Sequence, residues 1–524
     1  MVVKILFLIV FFAITLGVGI YCHKHSTNVN GFVLGGRNVG PWLTAFAYGT
    51  SYFSAVIFVG YAGQFGWKFG IASTWIGIGN AVIGSLLAWV ILGRRTRLMT
   101  RQLNASTMPE YFEKRFDSKA MKIISSIIIF VFLIPYTASL YNGLSRLFEM
   151  AFNVDYSICI IIMAVLTCIY VIAGGYMATA INDFIQGIIM LFGIVIVIVA
   201  VLNVHGGFSE AFKALASVQD PAVSTTPGVF SSIFGPDPFG LLSVVVLTSL
   251  GTWGLPQMVT KFYAVKTEAD IKKGTIISTI FAVIVAGGCY FLGGFARLLD
   301  PSVVANGGFD AIIPALLSPL GDAIIGLVII LVLAASISTL SSLVLTSSST
   351  LVLDLIKGTS KKEIDSKKSL LLIKIFVLVF IAISVIIAIF QYNSADSFIA
   401  QFMGISWGAL AGAFLAPMMY GLYSKKVTKT AVFTNFAVAI TIMLSNMLFK
   451  AYLPTVLQSP INCGAIAMLL GLIIVPVVSL FTKKLDKSVV DNSFACYEKT
   501  VTVKATNVLT DVVAENEETN ATNE

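Results

Sequence analysis

Stretches of about twenty apolar residues recur along this 524-residue chain, and each is long enough to carry a helix across the hydrocarbon core of a bilayer. They lie at approximately 3–22, 42–66, 71–92, 122–144, 156–173, 181–203, 239–260, 275–297, 322–353, 370–390, 398–423, 431–449 and 462–481. A large soluble core is excluded by charge. Only 11% of residues are charged against 57% hydrophobic, whereas soluble proteins carry roughly 25% charged residues. The spacing predicts an all-α integral membrane protein with about thirteen transmembrane helices.

The net charge of +8 does not point to nucleic acid, because the basic residues sit in short loops between apolar runs. One set of loops carries Lys24 and Arg37, then Arg94, Arg95, Arg97, Arg101, Lys114, Arg115, Lys119 and Lys122. It continues with Lys261, Lys266, Lys272 and Lys273, with Lys357 to Lys368, and with Lys425, Lys426 and Lys429. The alternate loops hold only Lys68, Arg146, Lys213, Arg297 and Lys450. The positive-inside rule then places the N-terminus outside and the C-terminus in the cytoplasm. The loop Gly174 to Asn182 has no basic residue and fits by parity alone. The apolar run near the N-terminus lacks a clear small-residue cleavage site and reads as a retained helix.

Residues 1–484 form the expected transmembrane domain. Residues 485–524 are polar, with Glu515, Glu517 and Glu518 among the acidic ones, and read as a disordered cytoplasmic tail. The stretch 204–238 is rich in Gly, Pro, Ser and Thr and is expected to cover the outer mouth. The cysteines Cys22, Cys159, Cys168, Cys289, Cys463 and Cys496 form no CxxC pair, so small apolar packing residues are expected rather than a transition-metal or redox site. No HExxH, Walker loop or nucleophile elbow occurs, and His23, His25 and His205 lie in loops. Nothing here predicts an enzyme.

Three spans carry unusual chemistry. The second holds Gly49, Thr50, Ser51 and Ser54 near its middle. Such residues permit unwinding around an ion or solute cavity; close helix packing through small residues is the equal alternative. The seventh is interrupted by Gly251, Gly254 and Pro256. Two interrupted helices five spans apart point to an inverted-repeat transporter with repeats at about 42–203 and 239–423. The ninth crowds hydroxyls at Ser336, Ser338, Thr339, Ser341 and Ser342. Spacings of three and four put several on one face, where neutral oxygens suit a small cation. Back-bonding to the same helix is the alternative. Asp183 starts the sixth span, either as a functional carboxylate or as a boundary residue that caps a helix.

Several segments resemble the sodium:solute symporter family: Phe32 to Trp42, Tyr136 to Glu149, Gly174 to Gly187, Gly254 to Ala264 and Ala334 to Ser342. The resemblance covers about Gly31 to Phe481. It implies a leucine-transporter-type fold of 5+5 inverted helices, and sodium-coupled import of a small organic solute through the cell membrane. Sodium is the implied coupling ion, with no other cofactor. The family's sodium ligands correspond to main-chain oxygens at Thr50, Phe53 and Ala335 and to the hydroxyls of Ser338 and Thr339. A second sodium, as in the sialic acid branch, would use Asp183, Ser341 and Ser342. The solute site would involve Ser51, Tyr52, Ser54, Tyr136, Thr248, Thr252 and Trp253. The chain departs from the proline branch, which has an aspartate at the position of Tyr52 and aromatic residues at those of Thr248 and Thr252. A carboxylate such as pantothenate or an amino acid is the implied solute class. Proton coupling on the same fold, a channel and a nutrient sensor are the competing readings.

Overall fold

A computed structural model describes residues 2–22, 28–360, 364–392 and 399–497. Helices make up nearly all of it. Among the described residues, β-type pairing is confined to two isolated bridges, Val39–Val265 and Asp220–Ser224. The main helices are α1 (Val2–Cys22), α2 (Pro41–Tyr52), α3 (Val56–Gln102), α4 (Lys119–Phe152), α5 (Tyr156–Ile169) and α6 (Gly175–Val204). They continue with α7 (Pro238–Gly251), α8 (Pro256–Ala264), α9 (Glu268–Leu298), α10 (Asp322–Thr359) and α11 (Ser366–Tyr392). Last come α12 (Ile399–Tyr423), α13 (Lys429–Tyr452), α14 (Pro460–Phe481) and α15 (Lys487–Phe494).

Eleven of the described helical runs are long and apolar enough to cross a membrane, α7 and α8 together counting as one. The difference from thirteen has a simple geometry. α3 spans 47 residues, about 70 Å if straight, which is twice a bilayer. It turns back at Gly70, where φ is 60° and ψ is −142°, and so contains both the expected span 71–92 and the second half of 42–66. α5 is a shorter apolar helix at the position of the expected span 156–173.

Burial sorts the helices into centre and rim. In the apolar stretches of α10 and α12, 83% of residues are buried, against 22% in α1. α1 therefore turns most of its Ile, Leu and Val surface outward, as a lipid-facing helix does. α10 packs on α4, α6, α1 and α2; α12 packs on α14, α4, α13 and α7.

Both expected interruptions are present. α2 starts on Pro41, which suits a helix's first turn, and ends where Phe53 adopts extended geometry, φ −82° and ψ 128°. α7 ends at Gly251, and α8 restarts on Pro256 after Leu255 at φ −75° and ψ 122°. The interruptions sit against the central helices through glycine. A Cβ on Gly254 would lie 2.7 Å from the Leu415 nitrogen and 2.8 Å from Ala411 Cα of α12. One on Gly143 of α4 would lie 3.1–3.2 Å from Ala55, just past the first break. At one end the two broken helices are joined through main chain. The Val39 N–H donates to the Ala264 carbonyl, and the Lys266 N–H donates to the Val39 carbonyl, each at 3.1 Å. Arg97 and Arg101 each donate to the Val265 carbonyl at 3.0 Å.

Four expectations are corrected. The stretch Gly174 to Asn182 is helical rather than a loop, with a single non-helical residue at Gly175 (φ 58°). Asp183 therefore lies about two turns inside α6, fully buried, not at a boundary. Lys261, read as a loop charge, is 2% exposed within α8. The polar segment after 484 begins with helix α15, whose Val490 and Phe494 are buried. The Phe494 ring takes the Arg115 guanidinium at 4.9 Å. Residues 498–524 of the expected tail, with His23 and His25, lie outside the described residues. Within 204–238, Phe230 packs with Leu202, Ala211, Leu215 and Phe295 in a small cluster of its own. All six cysteines are free thiols.

Candidate functional site

Where a helix stops, carbonyls of its last turn lose their intrahelical donors. At the end of α2 these are buried inside the protein, and α10 meets them. The Thr339 hydroxyl oxygen is 3.1 Å from the Thr50 carbonyl, 3.1 Å from the Phe53 carbonyl and 3.0 Å from the Ala335 carbonyl. One hydroxyl has one proton, so at most one of these acceptors is satisfied at a time. The Ser338 hydroxyl donates to Thr50 Oγ1 at 2.8 Å, and that oxygen donates to the Phe46 carbonyl at 2.8 Å. Thr50, Phe53, Ala335, Ser338 and Thr339 are thus brought together, all buried. Excess neutral oxygen over available protons is what a hard cation fits.

A charged cluster lies beside it. Lys261 Nζ donates to Ser342 Oγ at 3.0 Å and stands 3.7 Å from Asp183 Oδ2. Ser342 Oγ is 2.9 Å from Ser51 Oγ. Ser341 is not part of this chain of contacts, since its hydroxyl donates to the Ile337 carbonyl of its own helix at 2.6 Å. Lys261 also borders a cavity lined by Ser106, Thr107, Gln257, Thr260 and Ser349.

A third group surrounds the first break on the side of α4 and α12. The Tyr52 and Tyr136 rings both pack on Trp407, with centroids at 5.7 and 5.9 Å. Tyr52 Oη, Ser54 Oγ, Tyr136 Oη and Trp407 Nε1 are buried and have no hydrogen-bond partner among the described residues. Other buried groups of this interior, such as the hydroxyls of Tyr141, Tyr263 and Tyr290, share that condition; these four are gathered around one break.

Three further expected solute residues, Thr248, Thr252 and Trp253, bond to main-chain carbonyls. Thr248 bonds back to the Val244 carbonyl at 2.9 Å. Thr252 donates to the Gly84 carbonyl and the Trp253 indole to the Ile83 carbonyl, each at 2.9 Å. These carbonyls belong to a π-helical stretch, Asn80–Leu87, whose widened turns leave acceptors free for other helices. Tyr48 also donates to Gly84, at 2.7 Å.

A profile of the sodium:solute symporter family matches residues 32–439. The chain belongs to this family. Among curated relatives, a sodium/proline symporter of Staphylococcus aureus is 28% identical over 500 residues, covering 91% of this chain and 92% of that one. Among solved structures, a Na+-coupled sialic acid symporter in a substrate-bound outward-open state superposes with a TM-score of 0.74 at 18% identity. That match covers 92% of this chain and 98% of the other. The fold is therefore the leucine-transporter type, in a multi-pass membrane protein.

Within this symporter the residue-level reading missed three features. Lys261 was hidden because a lysine at the end of an apolar run reads as a loop charge. Trp407 lies in a span with no broken-helix signature. Asn80, whose side-chain oxygen accepts from Ser249 at 3.1 Å, sits mid-span, where a lone amide was the available signal.

Proposed function

We propose that this protein is a sodium-coupled importer of a small organic solute, working as a transporter rather than an enzyme. The observation that carries this is the Thr339 hydroxyl set among three carbonyl oxygens at 3.0–3.1 Å. Thr50, Phe53, Ala335, Ser338 and Thr339 would hold the sodium. Because these ligands come from both the α2 break and α10, sodium would draw the two together, next to the solute position.

Tyr52, Ser54, Tyr136 and Trp407 would hold the solute. Their rings suit an apolar body, and their unpaired O–H and N–H groups suit an acceptor such as a carboxylate. A carboxylated solute of amino-acid or pantothenate size is the class this supports. The sodium/proline symporter of S. aureus makes proline a necessary member of any test panel. The Lys and Arg distribution supports an N-terminus outside and a cytoplasmic C-terminus.

The test is uptake of labelled L-proline, other amino acids, pantothenate, sugars and monocarboxylates into proteoliposomes, with and without an inward sodium gradient. Uptake of one class, concentrated only when sodium runs inward, is expected. Uptake that follows a proton gradient and ignores sodium would assign the coupling to protons, and flux without accumulation would indicate a channel.

A further inference from the structure

Asp183 and Lys261 are both buried, at 0% and 2% exposure, and their charged groups are 3.7 Å apart. The Ser338 hydroxyl and the Lys261 ammonium are the groups that face the Asp183 carboxylate. The ammonium is therefore its counter-charge there, and a carboxylate stripped of such a partner in the interior is strongly disfavoured. The ammonium has further company suited to a cation. It donates to Ser342 Oγ at 3.0 Å and lies 5.1 Å from the centre of the Tyr176 ring, a face that attracts positive charge.

This position is adjacent to the oxygen cluster at Thr339. Ser51, which contacts Ser342 at 2.9 Å, follows Thr50 in the chain. Ser342 is three residues beyond Thr339 on α10, a rise of about 4.5 Å. Two positive charges this close in the interior repel, so whatever fills one position weakens the other for a mobile ion. The ammonium is covalently held and cannot leave with the solute.

We propose that the Lys261 ammonium is a tethered cation filling the place beside Asp183, Ser342 and Ser51, so that this transporter binds a single sodium, at Thr339. Replacing Lys261 by a neutral residue would open that place to a second sodium. The inference rests on the reading of sodium coupling above. It deepens that reading by replacing the second-sodium expectation with a residue of the chain itself. A cavity bordered by Lys261, Gln257, Thr260, Ser342 and Ser349 adjoins the place.

Equilibrium binding of radioactive sodium to the purified full-length protein tests this without knowledge of the solute. The wild type and Lys261→Arg are expected to bind a single sodium. Lys261→Gln is expected to bind a second, and Lys261→Gln with Asp183→Asn to return to one. A wild type that binds two sodium ions overturns the tethered-cation proposal while leaving sodium coupling intact. A folded Lys261→Gln that still binds one overturns it equally. A wild type that binds no sodium sinks the coupling reading and this inference with it. Should Lys261→Gln not fold, Asp183→Asn decides. Retention of the single sodium supports the proposal, and its loss places the sodium at Asp183 and overturns it.

Discussion

Thr339 and Phe53 approach each other oxygen to oxygen: the hydroxyl of one lies 3.1 Å from the carbonyl of the other, across the gap between α10 and the break after α2. The Thr50 carbonyl is equally close to the same hydroxyl. One proton shared among several acceptors holds this junction weakly, and an added cation should strengthen it.

Thr339→Ala is therefore expected to raise the sodium concentration for half-maximal uptake about two- to tenfold, the equivalent of one ordinary hydrogen bond's 0.5–1.5 kcal/mol. Membrane abundance should stay near normal. Thr339→Ser, which keeps the oxygen, should be milder. Sodium titration of uptake measures both, and an alanine variant with an unshifted curve would mean the hydroxyl serves only its own helix.

Ser338 and Thr50 should act as one unit, because Ser338 donates to Thr50 Oγ1 at 2.8 Å. In a double-mutant cycle of Ser338→Ala and Thr50→Val, the effects on sodium dependence should depart from additivity by about 0.5 kcal/mol or more. Additive effects would show that the contact plays no part in the ion's environment.

Tyr136→Phe separates two roles for a buried hydroxyl without a partner. Removing an unsatisfied group relieves a cost of about 1–3 kcal/mol, so the thermal midpoint should hold or rise. Solute KM should nonetheless rise roughly tenfold, with the sodium curve less affected. An unchanged KM in this variant would take Tyr136 out of the solute site.

Asp310, between α9 and α10, predicts a pH dependence. Burial pushes its carboxyl up to about 6, only partly offset by the Ile399 N–H that it accepts at 3.2 Å and by the positive charge of Arg146. The folded protein thus holds this proton more tightly than the unfolded chain does. The associated stability is fully present below about pH 4 and is lost as pH rises through about 6, by about 3 kcal/mol at most. Thermal midpoints in detergent should fall across that window and flatten in Asp310→Asn. A wild-type slope retained in the variant would assign the effect to another group.

Gly254→Ala should lower the amount of folded protein, since its Cβ would meet main-chain atoms of Leu415 and Ala411 at 2.7 and 2.8 Å. Forcing backbone apart in a packed interior costs about 1–3 kcal/mol. Normal abundance and melting would mean that α12 yields at this point.

The spans and both breaks were legible because a bilayer forces apolar runs of fixed length, and because Gly254, Pro256 and the Gly49–Ser54 group interrupt them visibly. The oxygen cluster was legible as a density of hydroxyls, with Thr50, Phe53 and Ala335 supplied by resemblance, since a carbonyl leaves no mark in sequence. Depth was not legible. Asp183 looked like a boundary residue because the chain bends at Gly175 alone, and α6 begins earlier than the apolar run suggests. Lys261 looked like a loop charge because its partner lies 78 positions away in the chain. The orphaned Trp407 nitrogen became visible only once α12 was placed against Tyr52 and Tyr136.

The bridge joining Val39 to Val265 has a mechanical consequence. It fastens the start of α2 to the end of α8, so at that end the two broken helices are yoked and a displacement of one pulls on the other. The yoke consists of main-chain bonds from the N–H groups of Val39 and Lys266, so it forbids proline at those two positions. The exposed Lys266 side chain can therefore vary without uncoupling the two arms, whereas Val39 and Val265 are buried and carry packing as well as the bonds.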